Sequence, residues 1–189
     1  MSPEPRIPPI EPADADDDVR GILAFEPPGL GGKLGDNNIF ATLAGHPELF
    51  KAWLPFGGAL LTASTLPDRD REIVILRVAV DCDCSYEWGQ HVKIAALVGM
   101  SREEIDRVPA GAEAPGWTAH EAALIRATDE LCERSVISEG TWAALAESYD
   151  DRKLIEVTML AGHYAMLAGA LNSFGVQLDD GLESLPGAG

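Results

Sequence analysis

Positive charge is scarce in this chain. It has 14 Lys and Arg against 31 Asp and Glu, a formal net charge of −17. Nucleic acids and anionic membranes are bound by clustered cations, so neither is expected as a partner. The acidity reads as a solubilising surface. Cysteine is also rare: Cys82, Cys84 and Cys132 are an odd set, and a disulfide framework is not expected. Either these thiols are buried small residues or at least one is reactive. No apolar run reaches the roughly 18 residues of a membrane span. Residues 1–18 are rich in Pro and Asp and lack the apolar core of a signal peptide, so a cytoplasmic location is expected. A Gly-rich phosphate loop, a CxxC pair and a GxSxG elbow are all missing. No stretch alternates apolar and polar residues between hairpin turns.

What remains is helical pattern. With 189 residues, 46% of them apolar, the chain suffices for one domain with a sizeable core. Residues 1–20 read as a disordered or extended arm, 21–180 as a single all-helical domain and 181–189 as an irregular tail. Pro27 to Gly32 reads as a loop. Residues 37–53 carry helical apolar spacing that Pro47 divides. Residues 68–81 could be a strand through Ile73-Val74-Ile75, but their length and polar lead-in favour a helix. A helix over 84–98 should stop at Gly99. Ser101 and Thr118 open capping boxes for helices over 101–108 and 118–134. Ser138 caps 139–148, and Asp150 or Asp151 caps a long helix over 152–174 that ends at Gly175. The fold class expected is all-α, with seven to eight helices. Residues 71–79 and 152–160 share a pattern, a charged start followed by an apolar helix.

The chemistry concentrates in Cys84-Ser-Tyr-Glu-Trp-Gly-Gln-His91. At about 100° per residue, Cys84, Glu87 and His91 fall on one helix face, joined by Trp88. Glu72, one helix earlier, can point at the same place. A thiol, two carboxylates and an imidazole beside apolar neighbours form a candidate acid–base site. By spacing alone Glu87 and His91 are equally an exposed i,i+4 pair, with Cys84 a small buried hydrophobe. A metal site on Glu87, His91 and His163 lacks further ligands, so no metal and no cofactor is expected. A Cys82–Cys84 bridge would be strained, and Glu87 would raise the Cys84 pKa. His163, in a small-residue apolar helix, is either a satisfied structural histidine or a pocket residue, and the set Gly162, Ala165, Ala168 and Gly169 suggests close helix packing. His46 and His120 read as structural or surface residues.

These residues resemble the carboxymuconolactone decarboxylase and alkylhydroperoxidase D-like family. Its motif is Glu, eleven residues, Cys-x-x-Cys, three residues, His. Here Glu72, Cys84, Glu87 and His91 follow that spacing, with Glu87 where the second Cys would stand. Leu66-Pro-Asp-Arg-Asp-Arg-Glu72, Tyr86-Glu-Trp-Gly-Gln-His91 and the stretches after Gly162 and Leu171 resemble one subgroup, and the likeness runs over about residues 37–179. The resemblance implies an all-helical homo-oligomer, a dimer, trimer or hexamer, with sites near subunit contacts. Its peroxidase branch uses both cysteines with Glu and His as a proton relay. Its decarboxylase branch uses cofactor-free acid–base chemistry on a lactone acid. With Glu87 in place of the second thiol, the expectation is an acid–base lyase or isomerase acting on a small carboxylate or lactone. Its catalytic residues would be His91, Glu87, Cys84 and Glu72. Arg77, Trp88, His163 and Tyr86 would contact substrate. The alternatives are a one-cysteine peroxidase or antioxidant on Cys84 and a non-catalytic helical oligomer.

Overall fold

The computed structural model describes residues 4–11, 13–26 and 32–187. Nine α-helices and two short 3₁₀ turns occur among these residues, with no strand. The helices are α1 (Asp17–Leu23), α2 (Asn38–Leu43), α3 (Pro47–Thr62), α4 (Asp68–Asp81), α5 (Ser85–Leu97), α6 (Arg102–Arg107), α7 (Ala119–Arg134), α8 (Glu139–Ala146) and α9 (Asp151–Phe174). Pro47 starts a helix rather than ending one, as suits a residue with no N–H to leave unpaired, and α3 runs on to Thr62 through Pro55.

α4 is the centre of the molecule, packed against α5, α7 and α9. Every residue from Asp70 to Leu76 is buried, as are Val78 and Ala79. The turn Ile73 to Leu76 is apolar on all sides and belongs inside, and burying each Val, Leu or Ile contributes about 1.5–3 kcal/mol. This settles Ile73-Val74-Ile75 as helix. The two segments of shared pattern, α4 and α9, lie against each other. The buried polar start of α4 is matched by partners: Asp70 accepts from Tyr149 Oη at 2.6 Å and lies 2.9 Å from His120 Nε2.

Local signals set the helix starts. Ser101 and Thr118 form reciprocal capping boxes with Glu104 and Glu121, and Ser138 and Asp150 accept from Thr141 and Lys153 N–H groups. Gly175 takes φ 69° and ends α9. α9 is long and apolar enough to reach across a bilayer by length and composition, and half of that stretch is buried inside the protein.

The loose arm anticipated over residues 1–20 is partly built into the fold. Asp16 caps α1, and Ala15, Val19 and Leu23 pack with Ala44 and Phe50 in a second, smaller core. Arg6 and Ile7 N–H groups donate to Phe174 O at the end of α9. The loop expected at Pro27–Gly32 lies outside the described residues except for Gly32. After α9 the chain stays irregular but not detached: Glu183 O would meet a Cβ on Gly89 at 2.8 Å, so the tail crosses α5 where only glycine leaves room.

Candidate active site

The turn between α4 and α5 aims the motif. Asp83 takes a left-handed φ of 50°, and Cys84 N–H then donates to Ala79 O at 2.8 Å. This places Cys84 at the N-cap of α5 with no solvent exposure. α5 presents Glu87 and His91 inward, to the face of α4 that carries Glu72. His91 Nδ1 lies 2.7 Å from Glu72 Oε2, and the Glu72 side chain is entirely buried. The other Glu72 oxygen accepts from Arg71 Nε at 3.0 Å, while Arg71 Nη1 donates to Asp68 at 2.6 Å. Asp68, Arg71 and Glu72 alternate in charge, and Glu72 in turn orients the His91 imidazole through their hydrogen bond.

Glu87 has no such support. It is 2% exposed and neither carboxylate oxygen has a hydrogen-bond partner. The alternative, an exposed pair of Glu87 with His91, does not form, because both are buried and His91 turns to Glu72. Burial pushes the Glu87 pKa well above the usual carboxylate range, and Cys82 adds to the effect. Beside it, burial first and then the neighbouring Glu87 carboxyl push the Cys84 thiol up to about 12. Backbone N–H groups of Glu87 and Tyr86 pull the other way without prevailing. Cys84 is therefore a protonated thiol at neutral pH, a weak nucleophile.

α9 closes the site with rings. Tyr164 meets His91 edge to face at 5.1 Å and His163 at 5.3 Å. His163 stacks on Trp53 at 5.9 Å, its Nδ1 has no partner, and burial lowers its pKa. A Cβ on Gly57 would come within 3.3 Å of His163 Nε2, so α3 and α9 approach closely there. Of the small residues expected to pack closely, Ala168 is fully buried in the core, whereas Gly162 and Gly169 face open space. Tyr164 was not singled out in the sequence; its only signal is its place next to His163.

The four motif residues thus converge, whereas the expected substrate contacts largely do not. Arg77 points away to α7, where its Nε lies 2.5 Å from Asp129 and its Nη2 3.0 Å from Asp81. It also donates to Val108 O and Pro109 O. With these four partners it is committed to structure, not available for a substrate carboxylate. Tyr86 is likewise engaged: its hydroxyl accepts from Ile39 N–H and donates to Asp179 at 2.7 Å. Trp88 is fully buried in the core, with its Nε1 unpaired. Neither of two surface cavities opens on the motif. One, about 370 Å³, is lined by Arg77, Asp81, Asp129, Cys132 and Glu133, and the other, about 310 Å³, by Asp36, Asn38, Leu178, Asp179 and Asp180. Among the described residues no group of three His, Cys, Asp or Glu is arranged to hold a metal ion.

This fold has relatives. An uncharacterized peroxidase-related protein from Ralstonia eutropha JMP134, with an alkylhydroperoxidase AhpD core, superposes with a TM-score of 0.81 at 22% identity, covering 95% of each chain. A peroxidase-related protein from Silicibacter sp. TM1040 gives a TM-score of 0.80 at 16% identity, over 94% of this chain and 93% of that one. The debrominase Bmp8 gives 0.76 at 14% identity, over 92% of each. None of the curated protein sequences matches the chain. Residues 47–130 match the model of the carboxymuconolactone decarboxylase family. The span that carries Glu72, Cys84, Glu87 and His91 therefore belongs to the carboxymuconolactone decarboxylase family, on an alkylhydroperoxidase D-like fold.

Proposed function

We propose that the chain is a cofactor-independent acid–base enzyme acting on a small carboxylate or lactone, with His91 moving the proton. The observation that carries this reading is the buried Glu72–His91 hydrogen bond beside the unpartnered carboxyl of Glu87. With its Nδ1 proton donated to Glu72, His91 keeps the Nε2 lone pair for chemistry, and the negative Glu72 stabilises the imidazolium once it forms. Glu87, protonated by burial, can donate a hydrogen bond to an oxygen on which negative charge develops. In a decarboxylation the bond to the carboxylate carbon breaks, its electrons pass into an adjacent carbonyl to give an enolate, and carbon dioxide leaves. His91 Nε2 first takes the proton of the substrate's carboxylic acid and, as imidazolium, returns it to carbon, while Glu87 holds the enolate oxygen by a hydrogen bond and keeps its own proton. In an isomerisation the same pair moves a proton from one carbon to another. Tyr164 and His163 supply a wall of rings.

The second reading is a one-cysteine peroxidase on Cys84. It is favoured by the place of Cys84 at the N-terminus of α5, where the Glu87 and Tyr86 N–H groups lower its pKa, and by the peroxidase-related structural neighbours. The protonated state of that thiol weighs against it. The homo-oligomer implied by the family has a candidate face in α9, where Ile155, Met159 and Met166 are exposed; light scattering on the purified chain measures its mass.

The two readings separate in a panel of small lactone and keto acids followed by NMR in D₂O. Carbon dioxide release or deuterium uptake at carbon is expected, retained in Cys84→Ala and lost in His91→Ala. Peroxide turnover with a dithiol that survives His91→Ala and vanishes in Cys84→Ala would install the second reading instead.

A further inference from the structure

We propose that the outer face of α9 is where two copies of this chain pair, antiparallel, about a two-fold axis passing beside residue 164. The proposal takes up the α9 face named above and adds its occupant, direction and register. It does not rest on the acid–base reading, since none of the four motif residues lies on this face.

The outward residues of α9 are spaced by four and three in turn. Ile155, Met159, Gly162, Met166, Gly169 and Ser173 are all exposed. That spacing keeps them on one seam, as in paired helices. Ile155, Met159 and Met166 are apolar yet half or more exposed. The seam also lacks charge, in a chain that is 24% charged. From Ile155 to Phe174 the ionisable side chains are Glu156, which accepts from Thr65 N–H, and the buried His163 and Tyr164. Two copies at −17 each repel one another, so a neutral apolar face is where they can approach. The same charge disfavours an anionic bilayer as the occupant.

The order of sizes along the seam points to a second copy. It runs large, large, small, large, small, small, and reversed it is its own complement. Laid antiparallel on itself, it sets Ile155 against the second copy's Ser173, Met159 against its Gly169 and Met166 against its Gly162. The two-fold axis repeats each contact. Every large side chain meets a small one, which lets the axes approach to about 8–10 Å. A parallel pair in register would instead set methionine on methionine and glycine on glycine. Within one chain the glycines have no packing role, because a Cβ at Gly162 or Gly169 would meet nothing within 4 Å. Glycine inside a helix costs stability. A second helix passing over them is the packing they fit.

The test is sedimentation velocity on the full chain over a concentration series at low and high salt. A monomer–dimer equilibrium is expected that tightens as salt rises, since screening removes the repulsion between copies and the seam has no ion pair to lose. Met166→Glu should weaken the dimer by about tenfold or more, because each copy then buries a carboxylate. Gly162→Met should weaken it too, by setting methionine against methionine, although the single chain has room for that side chain. Gly162→Met together with Met166→Gly exchanges large and small across the layer and should restore the parent dimer. Far-UV circular dichroism checks the fold of each variant. A chain that stays monomeric, or that floats with neutral phosphatidylcholine vesicles, would overturn the proposal. A dimer indifferent to Met166→Glu would keep a homo-oligomer and overturn this face. An exchanged variant that stays monomeric would overturn the antiparallel register. None of these outcomes bears on turnover by His91.

Discussion

Asp81, at the end of α4, and Glu87, buried on α5, both carry carboxyl groups, yet only Asp81 meets a cation. Asp81 shares Arg77 with Asp129, so the α4–α7 cluster carries its charges in pairs. Glu87 sits a few residues further on with both oxygens unpartnered. Glu72 falls between these cases, tied on one side by Arg71 and on the other by His91. Burying an unpaired carboxyl costs stability. The α4–α7 cluster is organised as scaffold, and the α4–α5–α9 cluster keeps an uncompensated acid where a proton can be used. That contrast, rather than burial alone, separates the proposed catalytic residues from the other ionisable groups on α4.

The largest expected effect would break the contrast on its catalytic side. His91→Ala should lower turnover of the eventual substrate by at least about 100-fold, the usual scale for general acid–base loss. Arg77→Ala, read by steady-state kinetics, should stay within a few fold. If the two variants lose activity equally, the division fails.

The second effect lies on the scaffold side. Arg77→Ala leaves Asp81 and Asp129 facing each other without a cation. Denaturant titration should show a loss of about 2 kcal/mol, below the full cost of breaking a buried pair because Asp129 is about a third exposed.

Next comes Glu87→Gln, which sharpens the contrast through pH. A pKa raised in the folded state means that stability is complete below the unfolded value and falls as pH rises through the folded one. The variant escapes that loss. Against the parent chain it should be on the order of 1 kcal/mol more stable at pH 8, with the advantage shrinking toward pH 4 in urea titrations.

Tyr86→Phe should have the smallest effect. It removes the acceptor for Ile39 N–H and the donor to Asp179, and should lower stability by about 1 kcal/mol in the same titration. Turnover should be unchanged, since Tyr86 ties the tail to α2 and α5 and does not face His91.

Legibility in the sequence followed locality. Ser101, Thr118, Ser138 and Asp150 were readable as caps because a cap is decided within four residues. α4 was readable from its length and lead-in, and the shared face of Cys84, Glu87 and His91 from helical rotation. Pairings across long separations were not. Arg77 looked available because its partner Asp129 lies 52 residues away, on a helix whose packing no local pattern encodes. Glu87 and His91 looked like a surface pair because Glu72, 19 residues earlier, competes for the imidazole only once α4 and α5 pack. α1 was hidden in an Asp-rich stretch: its stability comes from Val19 and Leu23 docking beside Phe50, a tertiary contact. The family resemblance supplied the Glu72 offset that spacing on one helix could not.

The central claim, that Glu87 is held as a neutral acid beside the Glu72–His91 pair, is tested most directly by infrared difference spectroscopy of the parent chain against Glu87→Gln across pH. The account expects a protonated-carboxyl band at pH 7 that is missing from the variant and that fades only well above the ordinary carboxylate range. A Glu87 already ionised at pH 5, with no band to lose, would contradict it.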